Sequence, residues 1–204
     1  SDLVVGVVDY VGRHQSRVRL ITDPGLMPSV RAVRGHKQNI LLSEHVTALI
    51  EALKMRDDLF FSQDFNSHLV ASLTQLEKHL YSNQGEWFLA KGILRGVTQP
   101  TYRSCGQLLR GIGFNYDFPD ERGPARDLCS GALHGEKDSL TMPILKINDL
   151  LVTTGMDGVF PEGLRVAEVT KIDVMKEGGY SYDLEAKSTV RDLDSLSMVF
   201  IIPP

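Results

Sequence analysis

Cysteine is scarce in this chain of 204 residues, which contains only Cys105 and Cys129. Two cysteines provide neither a disulfide framework nor the CxxC pair of zinc ribbons and thioredoxin-like proteins. The sequence leaves open whether they bond to each other, because a disulfide needs Cα atoms about 5.5 Å apart.

Long apolar runs are also missing. The longest, Leu196–Ile202, has the length of a strand, whereas a membrane helix needs roughly 20 apolar residues. The chain also begins without methionine and enters an apolar stretch at Leu3. We therefore expect a fragment, with any signal or membrane anchor removed beforehand.

Neither charge sign is in large excess. The sequence has 22 Lys and Arg against 26 Asp and Glu, a net charge of -4, which excludes a dedicated nucleic-acid binder. The first third is locally basic and the last third acidic, consistent either with solvated strand faces or with a charge-guided docking surface. Since 42% of the residues are hydrophobic, the composition indicates an ordinary folded protein.

Motifs of catalysis and ligand binding are absent from the sequence. Gly111-Ile112-Gly113 lacks the third glycine of a dinucleotide-binding turn, and the stretch from Gly131 to Lys137 misses the Walker spacing. The six histidines form no HxxxH, HExxH or Cys-His cluster, and no GxSxG elbow occurs. We predict no enzyme activity, no catalytic residue, no cofactor and no metal.

The patterns that are present indicate strands, and Tyr180–Lys187 alternates without a break, with Tyr180, Tyr182, Leu184 and Ala186 on one face. Short segments of apolar and β-branched residues alternate with Gly, Pro and Asp turns, which favours barrels or sandwiches over a parallel α/β sheet. Glycines inside the strands, such as Gly92 and Gly111, indicate bulges or sharp coiling. The predicted strands are Leu3–Val11, Arg17–Leu20, Ser29–Arg34, Trp87–Leu89, Ile93–Thr98, Leu108–Tyr116, Leu140–Ile147, Leu150–Thr154, Leu164–Val174, Tyr180–Lys187 and Ser197–Ile202.

Helical spacing interrupts the strands once. Apolar residues recur every three or four positions between Val46 and Leu53 and between Leu69 and Leu80, predicting two amphipathic helices. Ser43 is a candidate N-cap for the first. The resulting hairpin, residues 44–82, packs its leucine stripes internally or docks a partner or a second copy.

We therefore predict a mainly β fold with two small β-barrel-like domains. Residues 1–116 form the first, with the α-helical hairpin 44–82 inserted in it, and residues 139–204 form the second. Residues 117–138, rich in Pro, Gly and charge, form a linker or long loop.

Three segments resemble one family. Residues 148–169, NDLLVTTGMDGVFPEGLRVAEV, are similar to the motif GDLLVTSGLDGIFPKGLPVGxV of the rod-shape-determining protein MreC. Residues 6–24 are similar to that family's GxVVxVG...SRVxLxTDP opening. Residues 182–202, with Asp192–Leu196 before the terminal strand, are similar to its ADLDRLxxVxVI ending. The helical hairpin has no counterpart in the usual pattern.

The resemblance implies a function. Members are non-enzymatic periplasmic scaffolds of the cell-shape and peptidoglycan elongation machinery, anchored in the inner membrane. They organise wall synthases and contact MreD, RodZ and the class B penicillin-binding transpeptidase, with an indirect link to the MreB cytoskeleton; a homodimer is left open. The resemblance also allows the terminal strand to pair back with the first domain.

The glycine turns of residues 150–169 suggest a contact site. A buried strand runs into a turn in which Gly155 and Gly158 can take conformations closed to other residues, and Pro161 stiffens the exit. Met156, Val159 and Phe160 are therefore our candidate partner-binding residues, although Phe160 could instead plug a barrel end. The alternative function is a periplasmic carbohydrate-binding or hydrolytic β-barrel, which would need convergent acids or an aromatic platform from Trp87, Tyr102 and Tyr116.

Overall fold

We analysed a computed structural model of the chain. It describes residues 2–55, 63–82, 86–97, 108–116, 144–174, 179–190, 193, 196 and 198–202. The chain divides into two units, one of Ser1–Val33 with Phe88–Pro204 and one of Arg34–Trp87. Both cysteines and the predicted linker, residues 117–138, lie outside the described residues, so the division of the chain at this linker stays a prediction.

The described elements are eight strands and two helices. In chain order they are β1 (Gly6–Val11), β2 (Ser16–Leu20), β3 (Ser29–Gly35), α1 (His36–Lys54), α2 (Gln63–Ser82), β4 (Glu86–Gly96), β5 (Leu108–Tyr116), β6 (Leu150–Thr153), β7 (Arg165–Ile172) and β8 (Tyr182–Ser188).

Six strands close into one antiparallel barrel in the order β3-β4-β5-β8-β7-β6. The prediction of a mainly β chain with a barrel and a helical hairpin is confirmed. Strands from both predicted β-domains contribute to this one barrel, whereas the sequence suggested two separate small barrels. The reason is long-range pairing: Val30 of β3 lies opposite Thr153 of β6, and Leu109 of β5 opposite Ala186 of β8.

The barrel core is filled by side chains that alternate along each strand, as period-2 patterns require. In β8, Leu184, Ala186 and Ser188 are buried, which confirms the alternation read from the sequence. Phe114 is fully buried, and a Cβ added to Gly92 or Gly111 would lie 2.5 or 2.6 Å from its side chain. The pairing registers shift next to both glycines, so the predicted bulges are confirmed.

β1 and β2 form a separate two-stranded antiparallel ribbon. Its base is joined to the barrel by Leu3, which bridges Arg165 at the start of β7, and by hydrogen bonds from Val4 N to Arg165 O and Arg165 N to Asp2 O. Ile21, directly after β2, is buried in the barrel core.

The helical unit is an αα-hairpin in which Val46 and Ile50 are buried. Helix α1 begins at His36, eight residues before the predicted start at residue 44, directly after Gly35 with φ 115°. Ser43 was expected to cap this helix; instead it lies inside the helix with no exposed surface. The Thr47 hydroxyl bonds the Ser43 carbonyl oxygen at 3.0 Å and also the Glu77 carboxylate on α2.

Two predicted strands differ from the structure. Residues 144–147 lie outside every strand, and so do residues 198–202 at the end of the described chain. Both have strand-like composition, but within the described residues neither has a pairing partner, and a strand is defined by its partner's hydrogen bonds.

Candidate functional site

The candidate site is the loop between β6 and β7, residues Thr154–Leu164, which we call the barrel-end loop. It contains the left-handed glycines Gly155, Gly158 and Gly163, with φ of 76°, 66° and 87°. The sequence predicted these conformations for Gly155 and Gly158, and the structure confirms them. Residues other than glycine adopt such angles at a cost, so these glycines fix the path of the loop.

Thr153 closes the base of the loop. Its backbone N–H donates to Leu164 O at 2.9 Å, and Gly163 N donates to Thr153 O at 2.9 Å. The Thr153 hydroxyl donates to Pro161 O and accepts from Leu164 N. Because Thr153 is fully buried, these bonds are shielded from water and hold both ends of the loop together.

Thr154 ties the loop to the neighbouring strand β3. Thr154 N donates to Ser29 O at 3.0 Å, and the two hydroxyl oxygens are 2.8 Å apart. Met156 N donates to the Thr154 hydroxyl at 3.2 Å. The first turn of the loop is therefore attached to the start of a barrel strand more than 120 positions away in sequence.

Asp157 organises the tip of the loop. Its carboxylate accepts backbone N–H bonds from Val159 at 2.9 Å and Phe160 at 3.1 Å, the geometry of an Asx turn. Its other oxygen accepts from Ser29 N at 3.0 Å. One side chain thus folds the tip and fastens it to β3.

The pKa of Asp157 reflects these contacts. Burial alone would raise it, but the backbone N–H groups of Val159, Phe160 and Ser29 together hold the pKa below its ordinary value of 3.8. The carboxylate is therefore charged at neutral pH, in the form that its three donors require.

The structure places the three predicted contact residues differently. Met156 is 67% exposed and Val159 is 45% exposed, whereas Phe160 is only 7% exposed and belongs to the barrel core. The three are thus on one loop, with Phe160 pointing inward as an anchor and Met156 and Val159 presented to solvent. Whether a partner binds them stays a prediction.

Arg31 forms an ion pair with Glu162 of the loop. This β3 residue is buried, yet its guanidinium lies 3.2 Å from the carboxylate of Glu162, whose side chain is 63% exposed. A buried cation needs such a partner, so Glu162 is held next to the barrel wall.

Sequence reasoning missed several of these residues. Asp157 lies between two glycines, which is a turn signal, but its third donor, Ser29, cannot be found from local sequence. Arg31 belongs to an alternating strand pattern, in which nothing indicates that its side chain is buried or that Glu162 is its partner.

Other charged groups on the barrel are paired with one another. Arg110 on β5 lies 3.2 Å from Asp173 and 3.5 Å from Asp183, and Lys171 lies 3.3 Å from Asp173 and 3.2 Å from Glu185. Each of the three carboxylates therefore lies next to at least one of the two cations. It is an ion-pair lattice across three strands and has none of the features of an acid-base site.

Among the described residues, no group of three or more His, Cys, Asp or Glu lies close enough together to hold a metal ion. Neither helix in the described part of the chain is apolar enough to cross a membrane. Of the predicted aromatic platform, Tyr102 and the side chains of Trp87 and Tyr116 lie outside the described residues.

Comparison with known proteins gives a family match in the C-terminal part of the chain. Residues 121–203, which contain the barrel-end loop, match the family model "Rod shape-determining protein MreC, barrel core". The resemblance to MreC is confirmed for this segment. The description of that family names rod-shape determination.

Two solved structures are similar to the chain. One, titled "MreC", is 17% identical, with 91% of this chain and 57% of that chain covered and a TM-score of 0.41. The other, "Crystal structure of MreC from Pseudomonas aeruginosa", is 17% identical, with 92% and 68% covered and a TM-score of 0.40. The chain thus spans 57% of the length of the first. No curated protein matches the sequence.

Proposed function

We propose that this chain is part of a non-enzymatic periplasmic scaffold of the cell-shape and peptidoglycan elongation machinery. The match of residues 121–203 to the MreC barrel core carries this proposal. In it, the chain organises wall synthases and links them to the MreB cytoskeleton. MreD, RodZ and the class B penicillin-binding transpeptidase are its partners, and an inner-membrane anchor precedes it.

The barrel-end loop supports such a role physically. Its tip is fixed at Asp157, its base at Thr153 and its side at Thr154. A surface that is ordered before binding loses little conformational entropy when a partner arrives. Met156 and Val159, exposed on this ordered loop, are therefore our proposed contact residues, and Phe160 holds them in place.

The composition of the tip also suits protein binding. Methionine is flexible and polarisable and is favoured at surfaces that adapt to partners. The nearby acids, Asp157 and Glu162, are already bonded to backbone N–H groups and to Arg31. The loop therefore offers an apolar contact without an unpaired charge that binding would have to desolvate.

Site-specific crosslinking of the full-length protein in its host tests the proposal. A photo-crosslinking residue at position 156 or 159 should give an adduct with the class B transpeptidase or another elongation component. The double variant Met156→Asp with Val159→Asp, probed from a nearby exposed position such as Met27, which is 59% exposed and lies two residues before Ser29, should lose most of that adduct.

Ile147→Asp is the matched control, because Ile147 is 59% exposed and lies on the same unit outside the loop. It should crosslink as the unchanged protein does. If the double variant retained the full adduct, the loop would not be the contact. If the full-length protein crosslinked to no elongation component from any barrel position, the scaffold role itself would be wrong.

No specific observation on the described residues favours the carbohydrate-binding or hydrolytic alternative. A separate experiment tests it. Incubation of the purified chain with isolated peptidoglycan should leave the chain in solution and release no fragments. Cosedimentation or cleavage would support the alternative.

A further inference from the structure

The two helices of the hairpin meet along one seam. In α1 the buried residues are Ser43, Val46 and Ile50, which recur every three or four positions as in a packed helix. Thr47, one residue after Val46, hydrogen-bonds to Glu77 on α2. The side of α1 that bears Thr47 therefore meets the side of α2 that bears Glu77. The opposite sides of the two helices lie together on the other face of the hairpin.

That other face is apolar. In α1, Leu42 and Leu49 directly precede seam residues, so they are turned about 100° from them, away from the hydrogen-bonded side; each is 48% exposed. In α2, Leu76 directly precedes the hydrogen-bonded glutamate, and Phe65 lies three turns before Leu76; they are 44% and 61% exposed. We call these four residues the hairpin groove. Apolar side chains that are exposed next to one another mark interaction sites, whereas singly scattered ones do not.

A single helix fits the length of the hairpin groove. Leu42 and Leu49 are separated by two turns of α1, roughly 10 Å, and Phe65 and Leu76 by three turns of α2, roughly 16 Å. A partner helix of about 11–14 residues spans the same distance. Helices that dock into such grooves contact them with apolar residues at positions i, i+3 or i+4 and i+7, so the partner has one apolar stripe and is otherwise polar.

Hydrogen-bond donors and a cation border the hairpin groove. His45 follows Leu42 by three positions, so it lies on the same side of α1. His68 stands in the same relation to Phe65 in α2, and both histidines are exposed. Lys78 lines a hollow together with a groove residue. An imidazole N–H donates to a carboxylate whether or not the ring is protonated, and the lysine ammonium donates to it as well.

The carboxylates of the hairpin lie elsewhere. Glu44 and Glu51 directly follow seam residues of α1, which places them on the hydrogen-bonded side. Glu77 is on the corresponding side of α2. Among the described side chains of the hairpin, no carboxylate therefore borders the groove. This separation favours an acidic partner. Two copies of the chain docked groove to groove would set histidines against histidines, so a second copy is not complementary.

We propose that the hairpin groove binds an amphipathic helix of another protein, whose apolar stripe enters the groove and whose flanking carboxylates accept from His45, His68 and Lys78. Burial of the four groove side chains supplies the attraction, and the bordering donors select acidic helices over basic ones. This contact is independent of the proposed scaffold role, whose support lies in residues 121–203.

Fluorescence anisotropy of two labelled probe peptides, titrated with the whole chain, tests the proposal. Both peptides are helical, about 14 residues long, and have leucines at i, i+3, i+7 and i+10. One peptide has glutamates beside this stripe and the other has lysines. The glutamate peptide should bind, and the lysine peptide should bind at least about tenfold more weakly.

Variants of the chain locate the contact. Leu49→Asp should weaken binding of the glutamate peptide at least about tenfold, since it places a like charge in the groove. Tyr81→Asp is the matched control, because Tyr81 is 51% exposed and follows Glu77 by four positions, on the opposite side of the hairpin; it should bind as the unchanged chain does. Leu42→Ser with Leu49→Ser should also weaken binding and introduces no charge. Circular dichroism verifies that each variant keeps its helices.

Three results would overturn the proposal. The first is that neither peptide binds, and the second is that the lysine peptide binds as tightly as the glutamate peptide. The third is that Leu49→Asp and Tyr81→Asp bind alike. Replacing His45 and Lys78 together by Ala should reduce the preference for the glutamate peptide. If sedimentation velocity showed a dimer that Leu49→Asp dissociates, the groove would belong to a second copy and the proposal would be wrong.

Discussion

Replacing Asp157 by Ala is the sharpest perturbation of the barrel-end loop. The substitution removes the acceptor of three backbone N–H bonds, two inside the loop tip and one from Ser29. Replacing an Asp that caps local amides by Ala lowers the free energy of unfolding by about 0.5–2 kcal/mol. Hydrogen bonds to a charged group are at the stronger end of the range.

The third bond raises the expected cost. Ser29 N is part-buried, and a buried donor that loses its partner pays its desolvation penalty in full. We therefore expect Asp157→Ala to lower the free energy of unfolding by about 2–3 kcal/mol. For a chain of this size that corresponds to a drop in Tm of roughly 4–12 °C.

Urea and thermal unfolding followed by circular dichroism measure this loss, and amide hydrogen exchange locates it. The amides of Ser29, Val159 and Phe160 should exchange faster in the variant. Met156→Ala, in the same loop but 67% exposed, should change stability by less than about 0.5 kcal/mol. An Asp157→Ala chain as stable as Met156→Ala, with unchanged exchange at Ser29, would refute the reasoning.

Further perturbations have equally definite outcomes. The folded-state pKa of Asp157 is lowered from 3.8, so its stabilisation is present above the unfolded-state pKa and is lost as the pH falls through the lowered value. The difference in urea midpoint between the unchanged and the Asp157→Ala chains should therefore be largest near pH 7 and shrink as the pH is lowered below 3.8. Gly96→Ala should abolish folding or lower the free energy of unfolding by several kcal/mol, because the new Cβ would fall on the Thr22 carbonyl. Gly113→Ala places its Cβ in open space at φ 72° and should lower the free energy of unfolding by only about 1 kcal/mol. The yield of soluble chain and its Tm distinguish the two variants. Ser43→Ala should leave the hairpin equally stable or make it about 1 kcal/mol more stable. The buried Ser43 hydroxyl has no hydrogen-bond partner among the described residues, and Ala is the better helix former. A clear loss of stability on urea unfolding would contradict this prediction.

Several elements could be predicted from sequence because their signals are local. The predicted strand Leu108–Tyr116 has the observed bounds, and β8 shows the expected alternation. The left-handed turns at Gly155 and Gly158 were predicted from a glycine pattern, since few other residues tolerate such angles. The beginning of α1 was missed, because no side-chain cap marks it.

The site was predictable only in part. The loop was identified from its glycines and from the resemblance to MreC, but the burial of Phe160 was left open between two interpretations. Phe160 belongs to a core cluster that also contains Leu151 on β6 and Val166 on β7, so its burial depends on the closed barrel. Periodicity within a loop contains no information about such neighbours.

By itself the sequence determined where this chain extends, turns and coils, because alternation, leucine spacing and glycine turns act over a few residues. Tertiary structure alone decided that strands from both predicted domains share one barrel, that Ser29 binds Asp157 across 128 positions, and that residues 198–202 have no strand partner among the described residues. These outcomes depend on which distant surfaces meet, and the hydrophobic effect that drives them is non-directional. The strand edges and side chains available at each meeting point then select the pairing.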